Sequence, residues 1–100
     1  MKAHGKMLVK NFRKLFLDEF GVAINVHNGF STGSFADDGE TLSGIRSEKA
    51  GKVTGEIELH GNMTVGTAEK AIAEGLGFKV QIQDKTAKNA DNDLRLATLR

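Results

Sequence analysis

The sequence predicts an α+β fold, and the most economical form is a ferredoxin-like βαββαβ sandwich. Three observations lead to this class: an internal repeat, short segments in which apolar and polar residues alternate, and two segments with helical periodicity. Because strand-helix-strand crossovers are right-handed, two such units give a four-stranded antiparallel sheet with both helices on one face. A double β-grasp-like fold is the alternative.

The internal repeat covers most of the chain. Residues 4–30 align without a gap with residues 60–86, and after a two-residue deletion residues 34–46 align with residues 88–100. The identical pairs are His4/His60, Gly5/Gly61, Met7/Met63, Val9/Val65, Lys14/Lys70, Gly21/Gly77, Ala36/Ala90, Asp37/Asp91, Leu42/Leu96 and Arg46/Arg100. A chain of 100 residues suits one hydrophobic core. We therefore expect a single domain, residues 1–100, built from tandem repeats 1–46 and 53–100.

The first repeat begins with a strand and continues with a helix. Ala3, Gly5 and Met7 share one parity and mark the strand. The apolar stripe of the helix is formed by Val9, Phe12, Phe16 and Phe20. Gly21 follows where a left-handed cap ends a helix. In the next strand, alternation places Val22, Ile24 and Val26 toward the core and His27 away from it.

The second repeat has the same order of elements. Residues 53–63 alternate as in a half-buried strand: Val53, Gly55, Ile57, Leu59, Gly61 and Met63 share one parity, and Thr54, Glu56, Glu58 and His60 take the other. Thr64 is the expected N-cap of a helix that ends before Gly77. The helix stripe is Val65, Ala68, Ile72 and Leu76, and the following strand has Phe78, Val80 and Ile82 at core parity. A polar stretch and a short helix or turn complete the repeat, and we expect the strands near His4 and His60 to be central neighbours.

Composition excludes several classes of protein. There is no cysteine, so disulfides, thiolate metal sites and thiol nucleophiles are absent. No apolar stretch is long enough for a membrane span, and the formal net charge is +1. We expect a cytoplasmic protein with no membrane association. Neither a phosphate-binding glycine loop nor a nucleophile elbow is present. The sequence therefore predicts no catalytic residue and no cofactor, and a binding protein rather than an enzyme.

Five basic residues near the amino terminus, with no acidic residue before Asp18, form the clearest charge cluster: Lys2, Lys6, Lys10, Arg13 and Lys14. The last four are the candidate anion-binding residues. Leu8 occupies the position that corresponds to Thr64, and a leucine side chain cannot cap a helix. Free N–H groups beside lysines can bind an anion, such as phosphate or a nucleic-acid backbone. The alternative is a solvated face whose N–H groups bond to water.

Two phenylalanines remain outside the predicted core stripes, in the loop between residues 28 and 38. Phe30 and Phe35 either fold back as a satellite of the core or mark a protein contact surface. RNA recognition by an open sheet needs aromatic residues on strands, and the strands here offer none beyond the core positions.

Histidines and aspartates are interpreted as structural rather than as metal ligands. His4 and His60 are equivalent in the repeat, yet no carboxylate stands at ligand spacing. Asp37, Asp38 and their counterparts in the second repeat lack the pattern of a calcium loop, so capping and turn roles are expected. The sequence predicts no metal site.

Parts of both repeats resemble the middle of ubiquitin-like β-grasp domains. The residues of this resemblance are Thr64, Val65, Ile72, Gly77, Val80 and Ile82, and, in the first half, Asp37, Asp38, Thr41, Leu42 and Ile45. The whole chain also resembles small bacterial proteins with a doubled unit of helix, strand and an A-D-[DN] triplet, here residues 36–38 and 90–92. These resemblances imply a fold and no activity.

The function we expect is that of a small protein-interaction module. It would contact another protein or a second copy of itself, as a homodimer, through an exposed strand edge or the loop with Phe30 and Phe35. The alternative is a nucleic-acid or phosphate-binding module that uses the basic residues of the first strand and helix.

Overall fold

The structure, a computed structural model, describes residues 1–100 and contains two α-helices and four short strands. In chain order these are β1 (Lys2–His4), α1 (Val9–Phe20), β2 (Ile24–Val26), β3 (Glu56–Glu58), α2 (Val65–Leu76) and β4 (Val80–Ile82). Single 3₁₀ turns lie at Glu48–Ala50 and Leu96–Thr98. The predicted α+β class is therefore confirmed. Neither helix has the length and apolar character needed to cross a membrane.

The strands form two two-stranded antiparallel sheets, where we expected one sheet of four strands. β1 pairs with β3, so that Ala3 lies opposite Ile57, and β2 pairs with β4. The outer edges of β2 and β4 are occupied by loop residues instead of a third strand. The Val26 carbonyl accepts from the Ala36 N–H, and the Ile82 carbonyl accepts from the Ala90 N–H. Both sheets join a strand of the first repeat to a strand of the second.

Both helices are capped at the N-terminus in the same way: their first N–H groups donate to main-chain carbonyls that lie later in the same repeat. The Val9 N–H donates to the Glu40 carbonyl and the Val65 N–H to the Leu94 carbonyl, each at 2.8 Å. The next N–H groups follow the same pattern, Lys10 to Asp38 and Gly66 to Asn92. Thr64 also caps α2 with its side chain, as predicted, and Leu8 adds no side-chain cap to α1. The repeat in sequence is thus also a repeat in hydrogen bonds.

One hydrophobic cluster of 21 buried residues draws on both repeats. α1 packs against β2, and α2 packs against β3 and β4. The predicted stripes of both helices are fully buried or nearly so: Val9, Phe12, Phe16 and Phe20 in α1, and Val65, Ala68, Ile72 and Leu76 in α2. The Phe12 ring meets the Phe78 ring edge to face, with centroids 6.1 Å apart, which joins the first helix to the second repeat.

The C-terminus of each helix is in contact with an arginine of the other repeat. Gly21 and Gly77 end α1 and α2 with φ of 74° and 82°, as predicted from the glycine positions. The Arg100 side chain lies against Gly21 and donates a hydrogen bond to the Glu19 carbonyl at the end of α1. The Arg46 side chain lies against Gly77 at the end of α2. A positively charged side chain near a helix C-terminus also interacts favourably with the helix dipole.

Replacement of Phe16 tests the assigned core. Phe16 is fully buried and its ring lies 4.8 Å from the Phe20 ring, so Phe16→Ala leaves a large cavity. We expect the free energy of unfolding to fall by about 3 to 5 kcal/mol, measured by urea denaturation. Leu17→Ala is the matched control, because Leu17 is on the same helix and half exposed. An equal loss in both variants would contradict the assignment.

Replacement of Gly77 tests the contact between the repeats at the end of α2. A Cβ at this position would lie 2.9 Å from the Ala50 Cβ and closer still to the Arg46 Cγ. Since φ is also positive, we expect Gly77→Ala to lower the free energy of unfolding by at least about 1 to 2 kcal/mol. Gly55→Ala is the control, because Gly55 also has a positive φ, of 81°, and nothing lies within 4 Å of a Cβ there. A neutral Gly77→Ala would show that the two repeats are not in contact here.

Candidate functional site

The loop that follows β2, residues 28–36, is held in place at its base and is called the aromatic loop below. Asn28 at the start of the loop makes hydrogen bonds to residues near its end. The Asn28 N–H donates to the Ser34 carbonyl, and the Asn28 side-chain amide donates to the Ser34 hydroxyl and the Phe35 carbonyl. Gly29, the second residue of the loop, is buried. Its N–H donates to the Ile45 carbonyl, and its carbonyl accepts from the Lys79 N–H. The loop is therefore fixed to both repeats.

Phe30 and Phe35 are exposed on this loop. Their exposed fractions are 39% and 63%, so neither side chain folds back into the core. The Phe35 ring stacks on the His27 imidazole, with centroids 4.9 Å apart and an interplanar angle of 32°. One face of Phe35 is thus supported by the protein and the rest remains accessible.

The corresponding loop of the second repeat has no aromatic residue. Phe30 aligns with Thr86 and Phe35 with Asn89. That loop is closed by the Asp84 carboxylate, which accepts from the Thr86 N–H and hydroxyl and from the Lys88 N–H. These hydrogen bonds, chiefly those from Thr86, hold the pKa of Asp84 below its usual value. A loop at this place can therefore form from polar contacts alone, and the two phenylalanines are not required for it.

His27 is buried, although alternation along β2 predicted that it faces away from the core. Its exposed fraction is 2%, and no hydrogen-bond partner reaches Nδ1 or Nε2. The prediction was wrong because the aromatic loop returns alongside the end of β2, where His27 bridges to Phe35. Strand periodicity alone gives no information about a later loop that covers the outward face.

An open cleft of about 520 Å³ lies between the aromatic loop and residues 44–49, and we call it the Arg46 cleft. Its cationic lining residues are Arg46 and Lys49. The other lining residues are Asn28, Gly29, Phe30, Ser31, Gly44, Ile45 and Ser47. The lining contains two positive charges and no carboxylate. The sequence interpretation missed this site, because Arg46 and Lys49 are distant in sequence from the loop that completes it.

Three of the four candidate anion-binding residues come together. Lys10, Arg13 and Lys14 line a shallow cleft of about 240 Å³, together with Leu17 and Asp38. Arg13 is engaged there, since its guanidinium lies 3.1 Å from the Asp38 carboxylate and donates to the Ile24 carbonyl. Lys6 lies apart, in a different cleft that also contains His4 and Glu56.

The expected free N–H groups at the start of α1 are not available. The Val9 and Lys10 N–H groups donate to the Glu40 and Asp38 carbonyls, so no uncapped helix end faces the lysines. The prediction of free N–H groups was wrong because main-chain groups that are distant in sequence replace the missing side-chain cap. An anion at Lys10 and Lys14 would be bound by side chains alone.

The residue of the second repeat that is equivalent to Arg13 has the opposite charge. Glu69 is the equivalent residue, and its carboxylate accepts from the Ile82 N–H at 3.3 Å. Partial burial raises the pKa of Glu69 above its usual value. The basic cleft beside α1 therefore has no counterpart beside α2.

No metal centre is assembled. No group of three or more histidine, aspartate or glutamate side chains lies close enough to hold an ion. His60 Nε2 is 3.7 Å from a Glu58 carboxylate oxygen, and His4 Nδ1 accepts from the Lys6 N–H. The equivalent histidines of the two repeats thus have local partners.

Comparison with known proteins finds no match to a family model, to a curated protein or to a solved structure. The functional residues are therefore inferred from this chain alone. The places where its two repeats differ are the most informative, because shared structural requirements apply to both.

Replacement of His27 tests the burial of its ring nitrogens. A buried polar group without a partner costs free energy, and an apolar side chain avoids that cost. We expect His27→Leu to raise the free energy of unfolding by about 1 kcal/mol at neutral pH, measured by urea denaturation. His60→Leu is the control, since His60 is exposed. A clear loss of stability in His27→Leu would show that the imidazole has partners in solution.

Proposed function

We propose that this protein is a non-enzymatic protein-interaction module and that the aromatic loop is its contact surface. The observation that supports this most directly is the exposure of Phe35 on a loop that the main chain holds in place. Aromatic residues are enriched in protein interfaces and supply much of the binding energy there. A surface that is already ordered also loses little conformational entropy when it binds.

The strand edges offer less support for binding. β1 and β3 are three residues long, and their outward residues are charged or polar: Lys2, His4, Glu56 and Glu58. Short strands with charged side chains are features that discourage pairing with another chain. The outer edge of β2 is occupied by Ala36 and Arg13. The aromatic loop is therefore the better candidate of the two surfaces that the sequence indicated.

The partner in this proposal is another protein or a second copy of the chain. The ferredoxin-like arrangement remains a proposal as well, supported by the order of elements and by the antiparallel pairing of β1 with β3. The nucleic-acid alternative is supported by the shared cleft of Lys10, Arg13 and Lys14. It predicts binding that falls steeply with salt concentration and depends on Lys10 and Lys14, which the aromatic loop does not include.

The aromatic loop is tested by giving it the residues of the second repeat. Phe30→Thr with Phe35→Asn removes both exposed rings and retains side chains that the equivalent loop already accommodates. We expect capture of binding proteins from native lysate, or self-association measured by light scattering, to weaken by at least about tenfold. The melting temperature should stay close to that of the unmodified protein.

The control is Leu94→Asn, which removes a different exposed apolar side chain from the second repeat. This variant should bind as the unmodified protein does. If the double variant retains full binding, the aromatic loop is not the contact surface. If binding instead falls steeply with salt and is lost in Lys10→Glu with Lys14→Glu, the nucleic-acid alternative is correct.

A further inference from the structure

We propose that the Arg46 cleft binds the carboxylates of an acidic peptide segment, a segment of the partner protein that the aromatic loop contacts. This inference rests on the proposed function, because Phe30 belongs both to the aromatic loop and to the lining of the cleft. It names the chemistry of the partner: acidic side chains next to an apolar one.

The two cations of the cleft have no partner within the protein. The chain has three ion pairs, Arg13 with Asp38, His60 with Glu58 and Lys70 with Glu74. None of them includes Arg46 or Lys49, and Glu48, their neighbour in sequence, does not line the cleft. Two unpaired cations in one concave surface attract an anion, and the open cleft leaves them accessible to it.

The equivalent arginines of the two repeats differ in their hydrogen bonds. Arg100 donates to the Glu19 carbonyl at the end of α1. The corresponding carbonyl at the end of α2, that of Gly75, accepts from the Gly55 N–H at 2.9 Å. The guanidinium of Arg46 makes no such bond, although both side chains lie on a helix-capping glycine.

The stem of Arg46 is nevertheless held in position. Its Cγ and Cδ pack against Gly77, where there is no room for a Cβ. The guanidinium beyond this stem lines the cleft and suits a carboxylate, because its planar N–H groups match two carboxylate oxygens. Contact of the stem with Gly77 reduces the conformational entropy that the side chain loses on binding.

The remaining polar groups of the cleft can also donate to a carboxylate. The Ser31 hydroxyl accepts from the Gly33 N–H, and the Ser47 hydroxyl accepts from the Lys49 N–H. Each hydroxyl then keeps its own hydrogen for an incoming acceptor. The Phe30 ring, which is partly exposed, adds an apolar wall. The cleft, of about 520 Å³, has room for more than a single ion.

The test uses a fluorescein-labelled peptide in which glutamate alternates with leucine, titrated with the full chain at low salt and followed by fluorescence polarisation. Arg46→Met with Lys49→Gln removes both charges, and the methionine keeps an unbranched stem against Gly77. We expect this double variant to bind at least about tenfold more weakly, because hydrogen bonds to charged groups are lost. Lys85→Gln with Lys88→Gln removes the same charge from the other loop and should leave binding unchanged.

The outcomes separate this inference from the proposed function. If the peptide fails to bind, or binds the Arg46→Met and Lys49→Gln variant as tightly as the unmodified protein, the acidic-segment inference is wrong. The aromatic loop then still stands if Phe30→Thr with Phe35→Asn weakens capture of binding proteins. Lys49→Gln alone, on an exposed residue, repeats the test should the double variant lose its fold. Tighter binding of a single-stranded oligothymidylate to the same cleft would assign it to nucleic acid instead.

Discussion

Every strand of this protein pairs with a strand from the other repeat, and the rest of the structure depends on this pairing between repeats. β1 needs β3 and β2 needs β4, so neither repeat can satisfy its strand hydrogen bonds alone. The arginines that end the two repeats also join them, because Arg46 and Arg100 each lie against the capping glycine of the helix in the other repeat. Both sheets and both helix ends therefore depend on contact between the repeats.

Within this shared frame, the two repeats are identical at only ten aligned positions, and a few of their differences bear on the candidate sites. Arg13 corresponds to Glu69, His27 to Gln83, and Phe30 and Phe35 to residues of a polar loop. The first repeat thus has the exposed aromatic rings, the basic cleft beside its helix and the unpaired Arg46, while the second satisfies the equivalent groups internally. Because the second repeat forms the same elements without these groups, they are the groups to which the proposed function assigns binding.

Sequence periodicity predicted the helices and the places of the strands, but each strand is only three residues long, shorter than the alternation predicted, and the prediction failed where distant segments meet. The stripes that include Phe16 and Ile72 are correct, since a helix buries residues at its own period whatever it packs against. The left-handed caps at Gly21 and Gly77 follow from glycine alone. The strands form two sheets instead of one, and loop residues that follow later in the chain occupy the outer edges of β2 and β4. Periodicity within a strand gives no information about such loops. For the same reason the burial of His27 could not be derived from alternation.

The candidate site was only half predictable, and the missing half is the part that defines its chemistry. Phe30 and Phe35 stood out in the sequence because no stripe used them, whereas Arg46 looked like an ordinary repeat of Arg100. Arg46 differs from Arg100 in that it donates no hydrogen bond to the end of the helix it lies against. The Gly75 carbonyl, which corresponds to that of Glu19, accepts from the Gly55 N–H, and Gly55 has no counterpart in the first repeat. Identity of the two arginines in the sequence therefore gave no sign that their contacts differ.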